Sequence, residues 1–192
     1  MHIYLIDNNI NTVNAWSQYF SDNPDFTIFH GGFDFFMQTH KVDCIVSPTN
    51  SYGLMDGGYD LAITEWFGRD LMSHVQSYIL EHFRGEQPVG SSVFIDTGTI
   101  KLIHTPTMRI PSRIKDPMVV YTCMRTCLIL ALEKKISSIL IPAFGGGCGA
   151  VPSETIANMM SLAYNQVMNP PSEITWNYAE RCYPEYYEDL FT

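Results

Sequence analysis

The sequence predicts an α/β fold in which a mostly parallel sheet carries helices on both faces. Short apolar, β-branched segments alternate with longer segments of helical periodicity along the chain. The strand-like segments are nearly continuous apolar runs, which is typical of strands buried in a parallel sheet. Two of them run through glycine-rich loops into helices, and in such sheets ligands bind beyond the carboxyl ends of the strands.

The elements of the first half follow from apolar periodicity and from glycine breaks. We predict strands over residues 2–6, 26–29 and 42–47. Helices are expected over 9–20 and 60–83, the second of them interrupted at Gly68.

The elements of the second half are marked by capping and turn residues. A β pair over 92–97 and 101–105 is expected around Gly98, and a further strand over 139–143. Asp116 as N-cap and Pro117 as first helical residue indicate a buried helix over 116–134. A helix over 152–167 and a last short strand within 174–182 complete the predicted elements.

The composition is that of one folded domain spanning residues 1–192. Hydrophobic residues make up 46% of the chain, which excludes a disordered protein. No apolar run approaches the roughly 20 residues of a membrane helix. The segment MHIYLIDNN also lacks the basic and long apolar parts of a secretory signal. We therefore expect a cytoplasmic protein that does not bind a membrane.

The charge and the cysteines exclude further classes. A net charge of −9 argues against binding nucleic acid through a basic groove. It is compatible with a nucleotide ligand, because backbone N–H groups and helix dipoles can hold a small phosphate. No two of the five cysteines have C-x-x-C spacing, and Cys44, Cys123 and Cys127 fit core positions. Neither a metal site nor a cofactor is expected.

Two glycine loops are the candidate ligand site. The first lies between the strand at 42–47 and the helix that begins near Asp60, and it also contains Asn50. The second is G-G-G-C-G at 145–149, followed by the helix at 152–167. One such loop alone is as consistent with a tight turn as with a ligand site. Two of them at the same sheet edge could hold two phosphates between them. The second loop also fits G-x-G-x-x-A, but it lies too late in the chain for a dinucleotide-binding fold.

The segment L-I-H-T-P-T-M-R-I-P at 102–111 is a third strand that enters a polar loop. His104 fits a core histidine bonded to the backbone better than a catalytic one. Arg109 could meet a phosphate or pair with a surface carboxylate.

Together these segments resemble the macro domain, the ADP-ribose-binding module. The family's V-D-x-I-V-N-x-x-N and G-G-G-V-D-x-A-I segments are similar to V-D-C-I-V-S-P-T-N at 42–50 and D-G-G-Y-D-L-A-I at 56–63. Its I-I-H-T and P-A-x-G-T-G segments are similar to L-I-H-T at 102–105 and P-A-F-G-G-G at 142–147. The resemblance covers roughly residues 26–168. The form S-P-T-N-S-Y-G-L-M-D-G-G-Y-D at 47–60 is similar to a bacterial and phage-associated branch.

The resemblance implies a three-layer α/β/α sandwich around a central mixed, mostly parallel sheet. It also implies that Asn50 bonds the distal ribose and that Asp60 lies beside this ribose, where hydrolytic members orient water. Asp34 would hold the adenine and Phe144 would pack near the distal ribose. The remaining implied ligand contacts come from Ser47 and from the two loops, namely Gly57, Gly58, Gly145, Gly146, Gly147, Cys148 and Gly149.

The chain departs from the family pattern in several places. Ser47 replaces the usual first Asn, and Met55 and Asp56 replace glycines of the longer run. Gly146 replaces Thr or Ser, and the family's G-D-I-T segment is altered to G-G-F-D at 31–34. We expect Asp56 to be a turn or N-cap residue.

Three functions are compatible with these residues. The first is an enzyme that hydrolyses the linkage at the distal ribose of an ADP-ribosyl group, with Asp60 and Asn50 as catalytic residues and an ADP-ribosylated protein as a possible partner. The second is a non-catalytic reader of ADP-ribose or a related nucleotide. The third, a cysteine-nucleophile enzyme built on Cys148, has no identifiable partner base.

Overall fold

The computed structural model describes residues 1–181 of this chain. Its strands are β1 His2–Asp7, β2 Phe26–His30, β3 Cys44–Ser47, β4 Val93–Asp96, β5 Lys101–His104 and β6 Ser138–Pro142. They form one sheet in the order β2-β1-β6-β3-β5-β4. The β4–β5 pair is antiparallel and the other pairs are parallel, so the sheet is mixed and mostly parallel, as predicted.

The helices are α1 Ile10–Phe20, α2 Phe33–Thr39, α3 Gly58–Phe67, α4 Asp70–Phe83, α5 Met118–Glu133, α6 Ser153–Met168 and α7 Trp176–Arg181. The predicted break at Gly68 is confirmed, because Gly68 separates α3 from α4 with a φ of 98°. No helix of residues 1–181 is both long and apolar enough to cross a membrane.

Two apolar cores lie on opposite faces of the sheet. The first contains α1, α5 and α6 and the strand side chains Ile3, Val46 and Ile141. The second contains α2, α3 and α4 packed against strand residues such as Ile45 and Leu102. Successive strand residues enter opposite cores because their side chains alternate between the two faces. The fold is therefore the three-layer α/β/α sandwich that the resemblance implies. The predicted core cysteines are buried.

Three expectations about elements were wrong or incomplete. The sequence predicted no helix over residues 33–39. Helix α2 forms there because Phe33 and Phe36 lie on one face and are buried. The strand predicted within 174–182 is wrong, because α7 occupies 176–181; Cys182 lies outside the described residues. Helix α5 begins at Met118, with Pro117 at the N-cap. The Asp116 carboxylate still accepts a hydrogen bond from the Met118 N–H at 2.9 Å.

The strand order places the site. Strands β6, β3 and β5 are neighbours, and all three are parallel to one another. Their carboxyl ends, Pro142, Ser47 and His104, therefore lie at one edge of the sheet. The N-terminal strand β1 separates the edge strand β2 from β6.

Candidate functional site

The two glycine loops leave neighbouring strands at the same edge of the sheet. The first follows β3 and enters α3, and the second follows β6 and enters α6. Since β3 and β6 pair directly, the loops lie side by side, as the alternation of elements predicted. A ligand at this edge can contact both.

Asn50 holds the first loop together from within. Its Oδ1 accepts hydrogen bonds from the N–H groups of Tyr52 at 3.1 Å and Leu54 at 3.3 Å. Its Nδ2 donates to the Leu54 carbonyl at 2.9 Å and to Thr49 Oγ1 at 3.2 Å. Both ends of this amide are thus occupied by the loop itself. A ribose hydroxyl would have to share or replace one of these bonds.

Asp60 and Ser47 form the buried polar contact of the site. The Ser47 hydroxyl donates to Asp60 Oδ1 at 2.6 Å, and Ser47 is fully buried. Burial raises the pKa of the Asp60 carboxyl to about 7, against the lowering effect of hydrogen bonds from Ser47 and Thr49. The carboxyl therefore changes its protonation state near neutral pH. Ser47, at the family's asparagine position, orients this carboxyl.

The start of α3 offers unpaired backbone donors. Gly57 is the N-cap and, having no side chain, it makes no capping hydrogen bond. The first helical bond joins the Leu61 N–H to the Gly57 carbonyl. The N–H groups of Gly58, Tyr59 and Asp60 therefore have no helical acceptor. Of the two roles expected for Asp56, turn or N-cap, the N-cap is wrong, because Gly57 is the N-cap and Asp56 lies exposed in the loop before it.

The second loop leaves further N–H groups without acceptors. Within residues 1–181, the N–H groups of Gly147, Cys148 and Gly149 donate to no carbonyl. The bonds of the loop run instead from Ala150 N–H to the Gly147 carbonyl and from Val151 N–H to the Gly145 carbonyl. These free donors, with those of α3, suit an anion.

Two glycines of the second loop are required by its geometry. Gly145 has a φ of 76°, in the left-handed region that favours glycine. A Cβ at Gly149 would lie 2.6 Å from the carbonyl oxygen of Gly145, which is a backbone clash. A Cβ at Gly147 meets nothing within 4 Å, so this position tolerates a side chain.

The segment after β5 joins the two loops, which sequence patterns did not predict. Beside the first loop, the Thr107 N–H donates to the Thr49 carbonyl at 3.0 Å and the Ser51 N–H donates to the Met108 carbonyl at 3.0 Å. Beside the second, the Ile114 N–H donates to the Gly149 carbonyl at 2.9 Å. Cys148 Sγ also lies 3.5 Å from Met108 Sδ. One continuous segment therefore fixes the distance between the loops.

His104 is a buried core histidine, as expected, but its ring bonds the side chain of Gln87 rather than the backbone. The Gln87 side-chain amide donates to the His104 carbonyl at 3.2 Å, and His104 Nδ1 lies 2.7 Å from Gln87 Oε1. The Gln87 oxygen is the acceptor, so we assign the hydrogen to Nδ1 of the ring. Burial lowers the pKa of His104 to about 3, and its Nε2 has no hydrogen-bond partner among residues 1–181. The Gln87 N–H also donates to the Ser51 carbonyl at 2.9 Å, which anchors the first loop.

Arg109 pairs with a carboxylate. Its guanidinium bonds both carboxylate oxygens of Glu86 and the Tyr52 hydroxyl. The Tyr52 hydroxyl in turn donates to Glu86 at 3.1 Å. This exposed cluster ties together three loops at the rim of the site.

Two further predicted ligand residues flank the loops. Asp34 follows Phe33, whose ring centroid lies 5.5 Å from that of Tyr59 at the start of α3, and Phe144 directly precedes Gly145. Asp34 is exposed in the first turn of α2, which follows β2 at the far edge of the sheet. Phe144 is fully buried in the first core, so a ligand reaches its ring only if the second loop moves. Within residues 1–181 no three histidine, cysteine or carboxylate side chains are grouped as metal ligands.

The class of protein is an α/β/α sandwich with two glycine loops at one edge of its sheet. The sheet order and the two layers of helices define this class. The model of the macro domain family matches residues 46–160, and the chain belongs to this family. The predicted bacterial branch of the family is consistent with the proteins described below. The predicted association of this branch with phage stays a prediction.

Solved macrodomain structures share this fold, and two uncharacterized proteins are similar in sequence. An uncharacterized protein of Aquifex aeolicus is 34% identical over 122 residues, which cover 62% of this chain and 70% of that protein. Another, from Thermotoga maritima, is 29% identical over 140 residues, and the chain spans only 23% of its length. The Oceanobacillus iheyensis macrodomain with ADP has a TM-score of 0.58 at 24% identity, over 67% of this chain and 71% of that one. A mutant of it with ADPR has a TM-score of 0.59. At this identity the likeness shows the fold.

Proposed function

We propose that this protein binds an ADP-ribosyl group between its two glycine loops. Support comes from family membership and from the fold it shares with a macrodomain whose structures hold ADP and ADPR. The unpaired N–H groups of Gly147, Cys148 and Gly149 supply donors for a diphosphate. The open start of α3 adds donors and a positive helix end, so no Lys or Arg is needed inside the pocket.

We further propose that it hydrolyses the linkage at the distal ribose. The observation that carries this is the Asp60 carboxyl, which is buried beside the Asn50 loop and held by Ser47 at 2.6 Å. A carboxyl with a pKa of about 7 is partly ionised at neutral pH. The carboxylate form is basic enough to accept a proton from an attacking water. Its negative charge would also stabilise the positive charge that develops at the anomeric carbon.

In this proposal each neighbour has a defined part. Ser47 donates its single hydroxyl proton to Oδ1 and so fixes the orientation of the carboxyl. Asn50 keeps the 50–54 turn in the shape that faces the sugar. The pH profile of hydrolysis should then have an ascending limb near pH 7, where Asp60 loses its proton.

A reader without catalysis is the second candidate. The observation in its favour is the Asn50 amide, which is occupied by loop atoms and has no free donor for the ribose. A pocket with this loop can hold the sugar through Asp60 and the backbone alone. An ADP-ribosylated protein as partner, a cytoplasmic location and a single domain over 1–192 stay predictions under either candidate.

Release of ADP-ribose from a modified protein separates the two candidates. We expect turnover by the wild type, and a loss of about 100-fold or more in Asp60→Asn with retained binding of free ADP-ribose, because general-base catalysis contributes 10²–10⁴-fold. Asp56→Asn is the matched control, since it removes an exposed carboxylate of the same loop. Binding without turnover on serine-, glutamate- and arginine-linked substrates would favour the reader.

A further inference from the structure

The segment that joins the two loops is unusually basic for this chain. Residues 109–115, which we name the rim segment, contain Arg109, Arg113 and Lys115. These are three of only eleven Lys and Arg residues in a chain of net charge −9. A positive patch at the mouth of the candidate site is therefore an exception to the acidic surface.

Within residues 1–181, two of the three cations form no ion pair. Arg109 is bound by Glu86, but neither Arg113 nor Lys115 forms an ion pair within residues 1–181, and both are exposed. The adjacent carboxylate of Asp116 accepts from the Met118 N–H at the start of α5. Both side chains are exposed to solvent at the surface of the described residues.

Ile114 holds the rim segment against the second glycine loop. Ile114 Cδ1 approaches the second loop so closely that a Cβ at Gly149 would lie 2.7 Å from it. The Ile114 N–H also donates to the Gly149 carbonyl. Arg113 and Lys115, on either side of Ile114 in the sequence, are exposed.

The other end of the rim segment lies beside the proposed reaction site. The Ser51 N–H donates to the carbonyls of Met108 and Arg109, next to Asn50. Ile110 is 59% exposed and adds an apolar contact at this end. A linkage at a ribose held beside Asn50 would therefore lie close to this end of the rim segment.

We propose that the rim segment docks an acidic segment of the protein that carries the ADP-ribosyl group. The inference rests on the proposed function, since the carrier is placed by its ribose. An acidic peptide fits better than a nucleic acid, whose regularly spaced phosphates would extend beyond these two exposed cations onto the acidic surface. A peptide can confine its carboxylates to Arg113 and Lys115 and place an apolar residue on Ile110.

The test compares two serine-linked ADP-ribosyl peptides that differ only in flanking residues, Glu and Asp in one and Gln and Asn in the other. Binding, or kcat/KM where there is turnover, is measured for the wild type and for Arg113→Gln/Lys115→Gln. The control is Lys41→Gln/Lys135→Gln, which makes the same charge change at exposed residues before β3 and β6, on the opposite sheet edge. Free ADP-ribose is titrated into all three proteins.

We expect the wild type to prefer the acidic peptide by about 3- to 10-fold at 0.05 M salt. The rim variant should lose this preference and the Lys41/Lys135 variant should keep it, with equal affinity of all three for free ADP-ribose. Salt at about 0.5 M should remove the preference, because it screens exposed charges.

Three results would overturn the docking proposal. The first is equal binding of both peptides by a wild type that binds ADP-ribose, which leaves the proposed function intact. The second is weaker binding of free ADP-ribose by the rim variant, which would assign the cations to the diphosphate. The third is competition at the rim by a single-stranded DNA oligonucleotide but not by the acidic peptide without ADP-ribose. A folded wild type that binds no ADP-ribose contradicts the proposed function itself.

Discussion

Replacing Asp60 by asparagine should stabilise the folded protein, and by an amount that depends on pH. The pKa of this carboxyl rises from 3.8 to about 7 on folding, mainly because the group is buried. At ~1.4 kcal/mol per pKa unit, this corresponds to about 4 kcal/mol of unfolding free energy. Asparagine has nearly the same shape, and its side-chain oxygen can still accept the Ser47 hydroxyl.

The sign follows from proton binding in the two states. Between about pH 4 and pH 7 the folded protein keeps the Asp60 proton, whereas the unfolded chain loses it. The stability of the wild type therefore falls as pH rises through this window, and the loss is complete above about pH 7.5. The variant has no such loss. The difference in unfolding free energy, variant minus wild type, should grow by about 4 kcal/mol from pH 4 to pH 8.

Urea denaturation of both proteins from pH 4 to pH 8.5 measures this difference directly. All other titrating groups are shared, so their contributions cancel in the subtraction. Asp56→Asn provides the control, because it makes the same substitution at an exposed position of the same loop, where surface changes usually alter stability by less than ~0.5 kcal/mol. A difference for Asp60→Asn that stays constant over the whole range would refute the buried, proton-linked carboxyl.

Further predictions concern the loops and their supports. Gly149→Ala should reduce ADP-ribose affinity by at least about 10-fold and lower stability by ~1–3 kcal/mol, because the new Cβ meets the Gly145 carbonyl. Gly147→Ala, which meets open space, should change neither in titration calorimetry and thermal unfolding, and equal effects of both would contradict the loop geometry. Gln87→Leu should lower the unfolding free energy by ~2–4 kcal/mol, because it removes buried hydrogen bonds to His104 and to the Ser91 carbonyl. Gln38→Leu, at an exposed position, should change the unfolding free energy little. The imidazole nitrogens of His104 should show the Nδ1–H tautomer and no titration between pH 5 and 8 by NMR, since burial lowers its pKa to about 3; a midpoint in that range would contradict its burial.

Much of the fold could be predicted from sequence because apolar periodicity and glycine placement report local structure directly. The strands, the two layers of helices and the break at Gly68 follow from such local signals. The short helix α2 did not, because seven residues carry too little periodicity to stand out beside the glycines that precede it. The position of β1 between β2 and β6 is set by long-range pairing, which no local pattern encodes.

The sequence predicted which residue types form the candidate site but not the hydrogen bonds that these residues make. Asn50 and Asp60 were identified from their register, and the structure places them at the predicted edge. Their hydrogen bonds depend on three-dimensional neighbours, so the self-contained bonding of Asn50 was not foreseen. Gln87 gave no signal either, because a lone glutamine in a loop usually faces solvent. Only the packed loop shows that it is fully buried.

Titration calorimetry with ADP-ribose, on protein shown to be folded by circular dichroism, tests the central claim most directly. We predict saturable binding at one site, weakened at least about 10-fold by Gly149→Ala and unchanged by Gly147→Ala. A flat titration of the folded wild type would contradict the claim that the two glycine loops hold an ADP-ribosyl group.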